Sequence, residues 1–165
     1  MNCLLVYDTV YGNTEQVARA IATALMPAHS VRVIKADQIA ELDTASIDLL
    51  IVGGPTQRHR MSPNIAAMLK ATPRGTLKGV KVAAFDTRYR LAAWLSGSAA
   101  SGIARYLLRL GGSLKISPES FFIERDAPPQ GEKRRHNLER LEAGEIERAA
   151  KWAVEIVNTI ETGQW

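Results

Sequence analysis

The sequence predicts an α/β fold in which a five-stranded parallel sheet carries helices on both faces. Three observations lead there. Short apolar runs alternate with longer segments of helical period. The most apolar run, Leu49-Leu50-Ile51-Val52, ends in Gly53-Gly54-Pro55, as a central strand turning sharply at its carboxyl end would. The composition, 46% apolar and 23% charged, is that of an ordinary globular protein and excludes wholesale disorder. A length of 165 residues suits one domain spanning 1–165, which buries roughly 70% of its unfolded surface without a staple.

The first strand is the apolar run 3–7, stopped by Asp8. A helix follows over 13–25, with Val17, Ala18, Ile21, Ala22 and Leu25 on one face at spacings of three and four, and Pro27 as its stop. Residues 31–34 alternate in polarity, which suits a second strand near a sheet edge. The third strand is 49–52. Residues 63–70 read as a helix with Pro63 in its first turn. The fourth strand is 80–85, and a helix over 101–110 turns Ile103, Leu107 and Leu110 inward before Gly111-Gly112. Residues 114–116 and 121–123 form one fifth strand, jogged at Ser117-Pro118. Residues 126–137 are polar, proline-rich and basic, and read as an exposed loop. The last helix, 145–160, faces inward with Ile146, Ala149, Ala150, Ala153, Val154 and Val157.

Right-handed crossovers place every loop that follows a strand at one edge of such a sheet, where doubly wound sheets take their ligands. Those loops are 8–13, 55–62, 86–90 and the region after Ile123. The first, Thr9-Val10-Tyr11-Gly12-Asn13-Thr14, offers three hydroxyl side chains, a glycine and a helix N-terminus with unpaired amides. Short donors and the helix dipole suit a phosphate monoester. The loop is neither a GxxxxGK[ST] loop nor a GxGxxG fingerprint. Taken alone, it fits phosphate binding and simple helix capping by Thr9 or Asn13 equally. In the second loop the glycines and Pro55 make a fixed turn whose backbone can approach a flat ligand. In the third, Asp86 and Thr87 suit sugar-like hydroxyls and Tyr89 a ring.

Taken together and in this order, the three loops resemble those of the flavodoxin family. Thr9 to Thr14 resembles its [ST]-x-x-G-N-T phosphate loop, Gly53-Gly54-Pro55-Thr56 the segment beside the flavin, and Phe85-Asp86-Thr87-Arg88 the loop on the ring's other side. The resemblance implies a doubly wound sheet of strand order 2-1-3-4-5, of the short-chain form, with noncovalent FMN at its carboxyl edge. It implies that Thr9, Asn13 and Thr14, with the amides of Val10, Tyr11 and Gly12, hold the phosphate. Pro55 and Thr56 would lie by the ribityl chain and ring, backbone groups from Thr56 through Gln57 to Arg58 would face the reactive edge, and Asp86 and Thr87 would lie opposite. Arg88 and Tyr89 complete the set, with Tyr89 as the stacking candidate.

The chain departs from the family's electron carriers in charge. Those are usually acidic and often stack a Trp from the third-strand loop, whereas this chain is +4 and has no aromatic residue between Gly53 and Asn64. Arg58, Arg60, Arg88 and Arg90 lie in the two loops assigned to the ring. Positive charge there stabilises reduced, anionic flavin and raises its potential. The expectation is an FMN-binding redox protein, either an electron carrier or a small FMN-dependent reductase. It would work with an acidic protein partner or a small anionic electron donor. The alternative is a module of the same fold without flavin, whose basic rim binds another phosphate ligand or an acidic protein.

Other features point elsewhere less strongly. A phosphorylated receiver domain needs paired acids after strand one and an Asp after strand three, where this chain has Asp8 alone and Gly53-Gly54. His59 reads as a rim residue and Cys3 as a small buried hydrophobe. Residues 96–101 lack a GxSxG elbow. Lys133-Arg134-Arg135-His136 is a solvated basic run without the interleaved aromatics of a nucleic-acid face. Trp152 packs under the last helix. One cysteine, no zinc spacing, no signal-peptide pattern and no apolar window of ~20 residues together suggest a reducing, cytoplasmic setting without a membrane span.

Overall fold

The computed structural model describes residues 1–39, 42–91, 97–125 and 139–163. The predicted loop 126–137, the basic run 133–136, Ser96 and Trp165 therefore lie outside the described residues. In chain order the elements are β1 (Asn2–Tyr7), α1 (Asn13–Leu25), β2 (Ser30–Lys35), a 3-10 turn (Ala36–Gln38), β3 (Leu49–Pro55), α2 (Pro63–Ala71) and β4 (Lys81–Tyr89). Then come α3 (Ala99–Arg109), β5 (Ser113–Leu114), β6 (Glu119–Arg125), β7 (Glu139–Leu141) and α4 (Glu145–Thr162).

Among the described residues the sheet has seven strands in the order β2-β1-β3-β4-β6-β7, with β5 also paired to β4. All neighbours run parallel except β6 and β7. The α/β class and the order of the first four strands are as expected, and β2 is an edge. The fifth strand differs. Its two halves are separate pieces on the same side of β4: β5 pairs with Lys81 and Val82, and β6 with Phe85 to Tyr89. Pro118, which has no amide to donate, stands between them. The antiparallel strand β7 adds a further edge, Ile123 opposite Leu141 and Arg125 opposite Glu139. β4 also runs past the predicted 80–85 to Tyr89, so Asp86, Thr87 and Arg88 are strand residues rather than loop residues.

Alternation along the strands divides the core into two layers. Cys3, Leu5, Leu49, Ile51, Ala83, Phe85 and Phe121 face α1 and α4. Leu4, Val6, Leu50, Val52, Val82 and Ala84 face α2 and α3. Helical period accounts for the buried face of α1 as expected, and in α4 Ala149, Ala153 and Val157 are buried as expected, but the buried face is turned away from Ile146 and Val154. Ile146 and Val154 are 38% and 46% exposed, while Trp152 and Ile156 are buried. The reason is that Trp152 occupies the place against the sheet: its ring stands edge-on to Phe85 and Phe121, with centroids 6.1 and 6.0 Å away. The largest side chain sets the rotation of the helix. Among the described residues, no helix is long and apolar enough to cross a membrane.

Gly53 makes this packing possible. A Cβ built there would come within 2.0–2.4 Å of three Phe85 ring atoms, and that ring is held edge-on by Phe121 and Trp152. Gly53→Ala is expected to destabilise the protein by about 3 kcal/mol, the top of the usual overpacking range. A urea midpoint unchanged from the parent would contradict this packing. Cys3 is 3% exposed and burial pushes its thiol pKa up, so it should resist an aromatic disulfide reagent at about pH 8 until denaturant opens the fold. Rapid labelling of the folded protein would show that the β1 layer opens locally.

Candidate functional site

The parallel register brings the carboxyl ends of β1, β3 and β4 together, and a cavity of about 820 Å³ opens above them. One end is built by the loop between β1 and α1. Asp8 is buried and fixes this loop from below: its amide donates to the Gly53 carbonyl, and its carboxylate accepts from the Thr9 amide at 3.0 Å and the Asn64 side chain at 3.3 Å. Thr9 Oγ1 accepts the Gly12 amide at 3.0 Å. Gly12 is the helix N-cap, at φ +86°, with open space where a Cβ would stand.

No side chain caps α1. Neither Thr9 nor Asn13 plays that part: the Thr9 oxygen takes the Gly12 amide, and the Asn13 side chain donates to the Glu139 carbonyl at 3.2 Å. Gln16 is the first residue whose amide returns into the helix, to Gly12. The amides of Asn13, Thr14 and Glu15 therefore have no intrahelical acceptor. Thr14 is buried, and its hydroxyl meets that of Thr87 across the cavity floor at 2.8 Å.

The opposite wall rests on Asp86. Its Oδ2 accepts from Thr56 Oγ1, Ser98 Oγ and the Ala100 amide at 2.9, 2.9 and 3.0 Å. Thr56 Oγ1 in turn accepts the Ala99 amide at 2.9 Å. One carboxylate thus joins β4, the segment after β3 and the start of α3. Beyond Thr56 the chain makes a two-residue turn, with the Gln57 amide on the Arg60 carbonyl at 2.8 Å and the reverse bond at 2.9 Å. Arg58 and His59 occupy it at φ 45° and 69°, and His59 bridges to Gly97.

The third wall is the end of β4. Tyr89 donates its hydroxyl to the Glu139 carboxylate, and both line the cavity. Arg88 sets its Nε on Ser120 Oγ at 3.0 Å and Nη1 on the Leu91 carbonyl at 2.8 Å, with its guanidinium carbon over the Phe122 ring, 5.2 Å from the centroid. Arg90 forks onto Glu142 and also covers Phe122. That guanidinium holds the Glu142 carboxyl below the usual carboxylate range.

Of the residues singled out in the sequence, Thr9, Val10, Tyr11, Asn13 and Thr14 line the cavity from the α1 side, and Pro55, Thr56, Gln57 and Arg58 from the β3 side. Thr87, Arg88 and Tyr89 line it from β4. Gly12 and Asp86 do not line it: Gly12 turns the chain, and Asp86 is wholly buried beneath the wall it fastens. The cavity also takes in Met61, which lies in the expected loop 55–62 without an assigned role, and Pro63, Ile123 and Glu139, to which the sequence pattern assigns none. Met61 and Pro63 adjoin the arginine turn and could have been found by continuing it. Glu139 carries no local signal, because it reaches the cavity only by pairing of β7 with β6. Among the described residues, no group of His, Cys, Asp and Glu could hold a metal ion.

A family model described as a flavodoxin domain matches residues 4–91, which carry β1 through β4 and more than half of the chain. The chain belongs to the flavodoxin domain family. No curated protein matches this flavodoxin-family chain by sequence. Among solved structures it is similar to oxidised flavodoxin 1 of Bacillus cereus, with TM-score 0.75 and 18% identity, over 96% of this chain and 98% of that one. A flavodoxin of Streptococcus pneumoniae gives TM-score 0.72 at 16% identity, over 96% and 99%. The rubredoxin oxygen:oxidoreductase of Desulfovibrio gigas gives 0.66 at 15%, over 98% of this chain and 36% of that one. At such identities the likeness is one of fold.

Asp86→Ala leaves the Ser98 hydroxyl, the Ala100 amide and the Thr56 hydroxyl without their acceptor. The expected cost is about 2–4 kcal/mol in urea unfolding, with faster amide exchange at Ala99 and Ala100 than in β1. Uniform exchange throughout the sheet would show that Asp86 anchors the whole fold rather than this wall.

Proposed function

We propose that this flavodoxin-family protein binds FMN noncovalently in the 820 Å³ cavity and acts as a redox protein, in electron transfer or as a small FMN-dependent reductase. The observation that carries the reading is the start of α1. An N-cap at positive φ, with no side chain over it, leaves three first-turn amides and the Thr9 and Thr14 hydroxyls at one end of the cavity. Such donors fit a phosphate monoester, with the helix dipole favouring its charge. The cavity continues from there between the Thr56 wall and Tyr89, and its size is that of a cofactor site.

Bound FMN would supply reversible one- and two-electron chemistry, while the protein supplies position, charge and access. In this reading Thr9 and Thr14 hold the phosphate with the amides of Asn13 and Thr14. Pro55, Thr56 and Gln57 form one side of the ring pocket, and Tyr89, pinned by Glu139, forms the other. Arg58 and Arg60 hold positive potential at the mouth and favour negative charge within.

The FMN-loaded protein should be yellow, and the flavin-free protein should quench free FMN fluorescence on titration. Thr14→Ala removes the hydroxyl that meets Thr87 and should weaken FMN by about 1–3 kcal/mol. A parent protein that takes up no FMN would overturn the redox reading in favour of a module that binds another phosphate ligand. Equal affinity in Thr14→Ala would place the phosphate elsewhere.

A further inference from the structure

We propose that the mouth of the cavity is a docking surface for an acidic redox protein, an inference that rests on flavin binding in the same cavity. The arginine-rich loops carry four guanidiniums in the sequence, but the fold treats them differently. Arg88 and Arg90 lie over Phe122, held by Ser120, the Leu91 carbonyl and Glu142. Arg90 is exposed as well but is paired with Glu142, whereas among the described residues exposed Arg58 and Arg60 meet no carboxylate. Their positions are fixed by the backbone: the paired hydrogen bonds between Gln57 and Arg60 close the turn, and the bridge from His59 to Gly97 holds it against the start of α3.

The surroundings select the kind of partner. Glu139 is the single carboxylate among the described lining residues, and it accepts the Tyr89 hydroxyl. Across the same cavity Val10 and Tyr11 stand 50% and 47% exposed. A small anion needs the two guanidiniums but neither of those apolar side chains. A protein uses both, since arginine and tyrosine are the residues that anchor interfaces, and rim charge steers encounter. A positive mouth bordered by apolar groups is therefore complementary to an acidic patch around a partner's redox centre.

Native cytochrome c, which is basic, and its succinylated form, which is acidic, carry the same haem and serve as probes. FMN uptake is measured first. The loaded protein is then photoreduced without oxygen, with EDTA as the sacrificial two-electron donor, and mixed with each probe. Two Fe(III) haems take the two electrons of one reduced flavin and become Fe(II), and the flavin's protons pass to water. At low ionic strength the succinylated form should react about tenfold faster or more, and the gap should close as salt is raised. Binding of the loaded, oxidised protein to immobilised succinylated cytochrome c should follow the same order. Arg58→Gln with Arg60→Gln should abolish most of both preferences. Arg74→Gln with Arg109→Gln, the same charge loss at the opposite edge of the sheet, should keep them.

No FMN uptake overturns this inference together with the proposed function. Uptake with a preference for native cytochrome c, or with equal loss in both double variants, overturns the docking surface alone. Rapid, salt-sensitive oxidation by ferricyanide without preference for the succinylated haem protein assigns the charge to a small anion and also overturns it.

Discussion

Three hydrogen-bond donors from two segments, Thr56 after β3 and Ser98 with Ala100 at the start of α3, converge on one oxygen of Asp86, a carboxylate with no exposure to solvent. Taking such a charge out of water is costly, and it is tolerated because these donors and the Arg88 guanidinium, 3.9 Å away, offset the loss of hydration. The arrangement has a geometric consequence. The end of β4, the residue after β3 and the first turn of α3 share one anchor and cannot move independently. Thr56 belongs to that anchor and begins the turn that carries Arg58 and Arg60. The shape of the cavity wall and the direction of its charges therefore depend on a side chain that never enters the cavity.

The same wall governs how the excess positive charge is used. A net charge of +4 is a bulk property and says nothing about place. Arg88 and Arg90 pack on an aromatic ring and against oxygen acceptors, so they act as cover for β6 as much as charge. Arg148 does likewise beneath the sheet, pairing with Glu145 and Glu119 and covering Phe121. At the mouth, the exposed lining arginines are Arg58 and Arg60, on one turn.

Much of this was legible along the chain. Val17, Ala18, Ile21, Ala22 and Leu25 bury one face of α1 because helical period and core contact coincide there. The β1, β3 and β4 strands stand out because both of their faces are covered, which demands continuous apolar runs. The loops after those strands were legible as site segments because parallel crossovers leave them nowhere else to go. Harder to read was whatever depended on a partner far along the sequence. The rotation of α4 follows from where Trp152 fits between Phe85 and Phe121. The β7 strand has only three residues, and their pairing with β6 is the reason they are a strand at all.

The sequence by itself determined the α/β class, the carboxyl-edge location of the cavity and most of the residues that line it. Periodicity, glycine placement and crossover handedness are local or near-local properties, and each is written in consecutive residues. Only the tertiary structure decided the roles of those residues. Asp86 and Thr87 are neighbours in sequence, yet strand alternation sends one under the wall and the other to the cavity floor. Four arginines look alike in composition, and the positions of Phe122, Ser120 and Glu142 separate two held by protein partners from two that meet no carboxylate among the described residues. Which partner a side chain meets is a long-range fact. It is settled by the packing of strands and helices against one another.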